Sequence, residues 1–450
     1  MSHYPPAIRR ICVFVFCLSL ALTLGQGILR FHKVLGVTGQ PFIQINEADA
    51  RVHATLAQRL LNGDGYTVPN ENGTGSQPAF EKAPGYPFLL AMIFRVTGFG
   101  FWFFPLQSLL AGFLCVLVVL VASEAFSDPA AALFAGVGAA VHPVLVNAAS
   151  QLYNEDIYFF LFFLCVWLFL RWHRHPSFLA ALACGVCAGI TALVRESILA
   201  PFACLILLTL VWGWRENWMN ALKGALTLGA GLVLVVLPWT IHNYIVTGGA
   251  IVPISTISMF LVGAGNNDCV AADGWNEPFF GDNPCPLLND QKTQLLAAEH
   301  LEPQTLNLSR ASSKIGISWI LNHPGEYLKL SFRRAWTVFD PWHKRQHLAA
   351  FKKLVFLVYF VLFVFTGITG LAWIAVTHRW TFPSITLALI LLTMYAPLVL
   401  IFVSHDHRFA IGIHLVLACF GGAWLAHFSF AKPIRNWSVL AGPAKASIIA

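Results

Sequence analysis

The chain has 450 residues, of which 57% are hydrophobic, 14% aromatic and only 11% charged. Soluble domains carry roughly 25% charged residues, so this composition excludes a soluble globular protein and indicates an integral membrane protein. The formal net charge of +7 would suggest an acidic partner for a soluble chain, but in membrane proteins Lys and Arg at helix ends mainly fix orientation. The charge therefore identifies no partner, and we expect membrane lipids rather than nucleic acid around the chain.

Apolar runs long enough to cross the roughly 30 Å of membrane hydrocarbon recur along the sequence, about ten in all. The first follows Arg9 and Arg10 and is compatible with a signal peptide or a retained helix; its length, and the absence of an A-x-A-like site after it, favour a retained helix. The runs are Ile11–Leu29, Phe99–Ala122, Ala130–Ala148, Ile157–Leu170, Phe178–Val194, Ile198–Trp214, Ala221–Thr240, Leu354–Val376, Phe382–Val403 and Phe409–Phe428. The predicted fold class is an all-α polytopic membrane protein.

The distribution of basic residues predicts the orientation of these spans. With Arg9 and Arg10 in the cytoplasm, the positive-inside rule places the basic connections on the same side. These connections contain Arg171, Arg174, Arg215, Lys223, Arg379, Lys432 and Arg435. The segments expected outside are 30–98, 150–156, 241–352 and 404–408. We therefore predict a catalytic transmembrane module over 1–240 with its outer loop 30–98, an outer region over 241–352, and C-terminal helices with a cytoplasmic tail over 353–450.

The outer region 241–352 is too long for a plain connection, so we expect it to fold. Helical patterns cover Gln291–His300, Ser309–Leu321 and Pro324–Phe339. Cys269 and Cys285 are the cysteines that lie in polar sequence. They either form a disulfide, if this region faces an oxidising compartment, or remain two free thiols.

Ionisable residues gather on the predicted outer side. Taken one by one, each has an ordinary explanation, because a carboxylate favours the start of a helix and Arg anchors a helix at the membrane surface. Their convergence on one face instead indicates a site for chemistry, since charges near a membrane are costly. The residues are Asp49, Glu81, Lys82, Glu155, Asp156, Arg195, Glu196, His405, Asp406, His407 and Arg408.

The order and spacing of these features resemble a known class of enzymes. The pattern consists of Asp49 with the helix after it, Gly63-Asp-Gly65-Tyr66, Glu81-Lys82-Ala-Pro84-Gly-Tyr86-Pro87, an acidic second outer loop, and Pro238-Trp239…Asn243-Tyr244. It is similar to the GT-C polytopic glycosyltransferases, the group that includes protein O-mannosyltransferases, lipid A aminoarabinose transferases and transferases of the lipopolysaccharide core. The resemblance extends over residues 10–430.

The resemblance implies an inverting transfer of a sugar from a polyprenyl-phosphate donor to a glycolipid, glycan or protein acceptor at the outer face of a bacterial inner membrane. By position, Asp49 matches the catalytic base, and Glu155 or Asp156 matches the second acidic loop. Lys82, Arg195 and Arg408 are expected to bind the donor phosphate, because cations stabilise the charge that builds on a departing phosphate.

A divalent metal ion is the cofactor that the resemblance allows. Glu81 matches the glutamate that can help to hold it, and His242 or His405 would complete the set. Three positions depart from the pattern: His53 replaces a Tyr, Ala83 replaces a Pro, and His242 replaces an Arg. Loss of that Arg weakens the expectation that the segment binds phosphate, and a hydrogen-bonded structural role for His242 is the alternative.

Two other functions fit a polytopic chain with a large outer region. A transporter or flippase of lipid-linked sugars would place ionisable residues near mid-membrane, whereas the spans here are almost free of charge. A polymerase or ligase of the O-antigen type would use Arg residues of a late outer loop, and Arg310, Arg333, Arg334 and Arg345 keep this alternative open.

Overall fold

The computed structural model is almost entirely helical, which confirms the predicted all-α polytopic class. It describes residues 4–38, 48–69, 75–98, 103–214, 217–273, 286–299, 305–339, 350–400, 408 and 410–428. Eight helices in these ranges are long and apolar enough to cross a membrane. The chain is therefore an integral membrane protein by the length and composition of its helices.

The helices before the long polar region are α1 (Pro6–Thr38), α2 (Ala48–Asn62), α3 (Gly85–Thr97), α4 (Phe103–Phe126), α5 (Pro129–Ala140), α6 (Pro143–Ala148), α7 (Glu155–Arg174), α8 (Phe178–Val194), α9 (Leu199–Gly213, preceded by the 3-10 turn Glu196–Ile198) and α10 (Trp218–Val246). Strands β1 (Thr67–Pro69) and β2 (Ser76–Pro78) pair antiparallel between α2 and α3. The apolar core is built mainly by α4, α7 and α8, which contribute many buried phenylalanines and alanines.

The run predicted as one span over 130–148 is divided into α5 and α6. Pro143 follows His142, whose Nδ1 accepts a hydrogen bond from the Leu145 backbone N–H at 3.3 Å and so caps α6. At 12 residues, α5 reaches only about 18 Å, which is shorter than the hydrocarbon layer. It is packed against α1, α4 and α19, so protein rather than lipid surrounds it.

Small residues allow α8 and α10 to cross in close contact. A Cβ atom at Gly185 would meet the Leu228 carbonyl oxygen, and one at Gly231 would meet the Leu182 carbonyl oxygen. Close backbone approach at small residues is a common way for membrane helices to associate. The crossing fixes α10, and through it the start of the polar region, against the core.

The remaining helices are α11 (Ile257–Gly265), α12 (Asp268–Asp273), α13 (Pro286–Ala298), α14 (Thr305–Asn322), α15 (Pro324–Thr337), α16 (Ala350–Tyr359), α17 (Thr366–Val376), α18 (Phe382–Leu400) and α19 (Ile411–Phe428). A π-helical segment, Phe360–Phe365, joins α16 to α17. Helices α11 to α15 share an apolar cluster of Ala264, Val270, Leu288, Trp319 and Leu330, and the expectation that the outer region folds into helices is met.

Cys269 is disulfide-bonded, whereas Cys285 lies outside the described residues. A disulfide forms and persists in oxidising compartments. The state of Cys269 agrees with a polar region that lies outside the cytoplasm, and its predicted pairing with Cys285 stays a prediction.

Candidate active site

Asp49 lies where two cations from distant parts of the chain meet. Its Oδ1 is 2.7 Å from Lys82 Nζ, and its Oδ2 is 3.2 Å from Arg408 Nη2. The Asp49 side chain remains 37% exposed, while Lys82 and Arg408 are 19% and 18% exposed. The carboxylate is thus the accessible centre of a partly buried ion cluster.

Local sequence explains how Asp49 and Lys82 come to face each other. Asp49 lies in the first turn of α2, where a carboxylate favours the positive end of the helix dipole. After α2, Gly63 and Gly65 adopt positive φ angles of 84° and 74°, which turns the chain back into β1. The Tyr66 hydroxyl then donates to the Lys82 carbonyl oxygen at 2.8 Å, which holds the segment before α3 in place.

A second carboxylate extends the cluster. Glu155, at the start of α7, places Oε1 3.4 Å from Arg195 Nη1 and 3.9 Å from Arg408 Nη1. Arg195 is at the end of α8, where the chain leaves the helix in an extended conformation. Five charged side chains therefore alternate in sign from Lys82 to Arg195, and the three cations exceed the two carboxylates by one positive charge.

Two tyrosines orient the arginines. The Arg408 guanidinium carbon lies 4.2 Å from the centre of the Tyr153 ring, and that of Arg195 lies 5.6 Å from the Tyr158 ring. Stacking on an aromatic face restrains a guanidinium while its N–H groups stay available. Neither tyrosine was predicted as a site residue, although Tyr153 is only two residues before Glu155 in the acidic loop.

The cluster controls the ionisation of Asp49. Burial by itself would raise the pKa of this carboxyl, but Lys82 and Arg408 together hold the Asp49 pKa well below its usual range. One helical turn later, burial and then the nearby Lys82 lower the pKa of His53 to about 3. Asp49 is therefore ionised and His53 neutral near pH 7.

Asp156 occupies a different environment from its neighbour Glu155. Its side chain is completely buried, and neither carboxylate oxygen has a hydrogen-bond partner among the described residues. It lies near Tyr86. Of the two residues predicted for the second acidic loop, Glu155 faces the cluster and Asp156 faces the protein interior.

The residues predicted to hold a metal do not assemble a site in the part of the chain that the structure describes. No group of three or more His, Cys, Asp or Glu side chains there is arranged to bind a metal ion. Glu81 lies near Lys292 of α13, His242 is exposed and stacked on Trp239 at 4.8 Å, and His405 lies outside the described residues. Metal dependence stays a prediction from the resemblance.

The Pro-Trp…Asn-Tyr segment of α10 braces the site instead of entering it. Trp239 Nε1 donates to the Ile254 carbonyl oxygen at 2.9 Å, and Asn243 Nδ2 donates to that of Val252 at 2.9 Å. The Trp239 ring also packs edge-on against Tyr66, with centroids 5.1 Å apart. These contacts join the polar region to the loop that carries Lys82.

Comparison with known proteins finds similarity to a family model and to solved structures. Residues 81–242 match the family model described as dolichyl-phosphate-mannose-protein mannosyltransferase. The chain is also similar to the crystal structure of ArnT from Cupriavidus metallidurans in the apo state, with 13% identity and a TM-score of 0.35 over 91% of this chain and 77% of that one. No curated protein matches the sequence. The family match, which includes Lys82, Glu155 and Arg195, confirms over residues 81–242 the resemblance to the GT-C membrane glycosyltransferases.

Proposed function

We propose that the protein is an inverting glycosyltransferase that uses a polyprenyl-phosphate-linked sugar as donor. The observation that carries the proposal is the sharing of Asp49 between Lys82 and Arg408 at the edge of the membrane helices. A base beside two cations suits a reaction in which a hydroxyl or amine loses a proton while a phosphate departs with a negative charge.

The reaction proceeds as a single displacement. The acceptor oxygen or nitrogen attacks the anomeric carbon, the bond between that carbon and the phosphate oxygen breaks, and the phosphate leaves with the electron pair. Asp49 takes the proton of the acceptor. Lys82 and Arg408 stabilise the departing phosphate, and Arg195 supports Arg408 through the carboxylate of Glu155, which contacts both.

Donor binding itself would activate the base. In the ligand-free protein the two cations keep the pKa of Asp49 low, and a carboxylate of low pKa accepts protons poorly. A donor phosphate competes with Asp49 for the same cations. Once the phosphate has drawn them away, the pKa of Asp49 rises toward its usual range and the carboxylate becomes a better base.

The location of the reaction follows from the orientation of the spans. By the positive-inside rule, Asp49 faces the periplasm of a bacterial inner membrane, where glycolipids, glycans of the lipopolysaccharide kind and exported proteins are available as acceptors. The disulfide-bonded Cys269 supports this side, because thiols stay reduced in the cytoplasm.

The contacts give less support to a transporter or flippase and to a polymerase or ligase. Apart from groups at the helix ends, the described spans hold little charge that would line a path for transport. Of the arginines that a polymerase or ligase would use, Arg334 is buried and donates to the Gly265 carbonyl oxygen at 2.6 Å, so it holds the polar region together.

Replacing Asp49 tests the proposal directly. We expect Asp49→Asn to lower the rate of sugar transfer from a polyprenyl-phosphate donor by roughly 10²–10⁴-fold, the usual contribution of a general base. The same variant should bind unglycosylated polyprenyl phosphate more tightly, because the competing carboxylate is gone. Both are measured on protein in proteoliposomes, by product formation and by binding.

Asp290→Asn provides a matched control, since Asp290 is an exposed aspartate of α13. It should leave both measurements unchanged. A wild-type rate in Asp49→Asn would remove Asp49 from the role of base, and weaker binding of polyprenyl phosphate would show that Asp49 does not compete with phosphate for Lys82 and Arg408.

A further inference from the structure

Helix α15 leaves a row of large apolar side chains exposed. Leu328, Phe332 and Trp336 are 56%, 76% and 71% exposed. They are spaced by four residues, so they follow one another along a single side of the helix. An unpartnered stripe of this size in a folded protein marks a surface that contacts something other than water.

The rest of α15 divides into two further sectors, because successive positions on a helix advance by roughly 100°. One sector packs on the protein through Leu330, Ser331 and Arg334, all buried. The other carries charged, exposed side chains, Glu326, Lys329 and Arg333. A helix with separate protein, apolar and charged sectors is suited to lie along a boundary between lipid and water.

Contacts of α15 place it at the level of that boundary. The Tyr327 hydroxyl donates to the carbonyl oxygen of Leu400, the last residue of the membrane helix α18, at 3.3 Å. Further along, the hydroxyl of Tyr395, also in α18, donates to the Ala335 carbonyl oxygen at 2.8 Å. The helix therefore lies against the terminal turns of a membrane helix.

The residue that follows α15 enters the membrane core. Val338 packs in one apolar cluster with Tyr359, Phe363 and Ile413, which belong to membrane-spanning segments. The Val338 carbonyl oxygen is 3.3 Å from Nε2 of His414 in α19. Val338 thus extends the buried sector of α15 into the contacts between membrane helices, and the helix is held against the spans.

We propose that α15 is an interfacial helix whose Leu328, Phe332 and Trp336 are immersed in the lipid of the leaflet at the Asp49 side. The occupant of the apolar sector is the acyl region of phospholipids, while Lys329 and Arg333 remain among the headgroups and water. Trp and long basic side chains are well suited to these two depths.

Photocrosslinking tests the proposal on the full chain. The residue p-benzoylphenylalanine is placed at Phe332, an aromatic replacement at an exposed position, and the protein is reconstituted in vesicles of phosphatidylcholine and phosphatidylglycerol and irradiated. We expect phospholipid adducts at position 332 by mass spectrometry. The same residue at Gln294, an exposed position of α13, should give adducts at least roughly tenfold less often, because it faces water rather than acyl chains.

A second position shows whether the substitution at 332 has disturbed the helix locally. We expect Leu328→p-benzoylphenylalanine to form phospholipid adducts as well. Equal and low lipid adduct at 332, 328 and 294 would overturn the proposal. So would crosslinks from 332 and 328 to a second protein in place of lipid, because the stripe would then be a protein interface.

Discussion

Asp49 shares its two carboxylate oxygens between two cations that lie 33 and 359 residues away in sequence. Such an arrangement stabilises the charged form of the carboxylate. The pKa of Asp49 is depressed in the folded protein. The ion pairs therefore contribute their full stability above the pKa of an unfolded aspartate, about 3.9, and this contribution is lost as the pH falls through the lower folded value. Between pH 5 and 8 the charge of Asp49 should therefore not change.

Removal of one cation should make this carboxylate titrate at higher pH. We expect Lys82→Gln to raise the pKa of Asp49 toward its usual range, because one of the two cations that lower it is removed. The acid limb of kcat/KM, which reports the free enzyme, should move upward with it. The measurement is the pH profile of sugar transfer by variant and wild type.

Lys314→Gln is the control for this pH profile, since Lys314 pairs with Glu299 on the exposed surface, 2.6 Å away. It should keep the acid limb of the wild type. An acid limb at the same pH in Lys82→Gln would contradict the electrostatic coupling between Lys82 and Asp49.

At the scale of elements, the site depends on how closely α3 approaches α8. A Cβ atom at Gly85, the first residue of α3, would lie 2.8 Å from the Leu193 carbonyl oxygen. Leu193 is two residues before Arg195, and Gly85 is three residues after Lys82. The contact therefore sets the distance between Lys82 and Arg195, two of the three cations of the cluster.

Gly85→Ala should push α3 away from α8, because the atom that it meets belongs to the backbone and has little freedom to move. Overpacking of this kind costs roughly 1–3 kcal/mol of stability, and we expect a lower melting temperature together with a raised KM for the donor. Thermal unfolding and transfer kinetics in detergent or nanodiscs measure the two effects.

Gly25→Ala provides the comparison, since a Cβ at Gly25 of α1 would meet no described atom within 4 Å outside its own helix and chain neighbours. It should match the wild type in both measurements. A wild-type KM in Gly85→Ala would show that the distance between α3 and α8 does not position the cations.

For the whole molecule, eight of the ten spans predicted from hydropathy correspond to described helices long enough to cross a membrane, whereas the helices within 130–148 and 178–194 are shorter. A run of apolar residues is enough to identify a span, since each backbone group is paired inside the helix. The break between α5 and α6 depends on His142, which lies 3.3 Å from His414, 272 residues later. Hydropathy shows no sign of that contact, and it also does not register Pro143, the local sequence feature that begins α6.

The structure brings some of the predicted site residues together and separates others from them. Asp49, Lys82, Glu155, Arg195 and Arg408 form one cluster because charges at helix ends on one face attract each other across short distances. Glu81 lies near Lys292 instead. His242 stacks on Trp239. The stacking tyrosines were missed because aromatic residues at helix ends are frequent in membrane proteins and carry little specific signal.

The predicted orientation has a test that involves the whole protein. Asp64 follows α2 and His175 follows α7, and both residues are exposed. We expect a membrane-impermeant maleimide added to spheroplasts to label Asp64→Cys but not His175→Cys, because the positive-inside rule places Asp64 outside. Labelling after lysis should reach both positions, and the reverse pattern on intact cells would invert the topology.

Ion pairs restrain helix α7 at both of its ends. At one end Glu155 contacts Arg195 and Arg408. At the other, Arg171 and Arg174 contact the buried Glu124 of α4, whose Oε1 accepts a hydrogen bond from the Tyr4 hydroxyl at 2.5 Å. Contacts at both ends oppose any sliding of α7 along its axis, so the isoprenoid chain of the proposed donor would have to enter by separating neighbouring helices laterally.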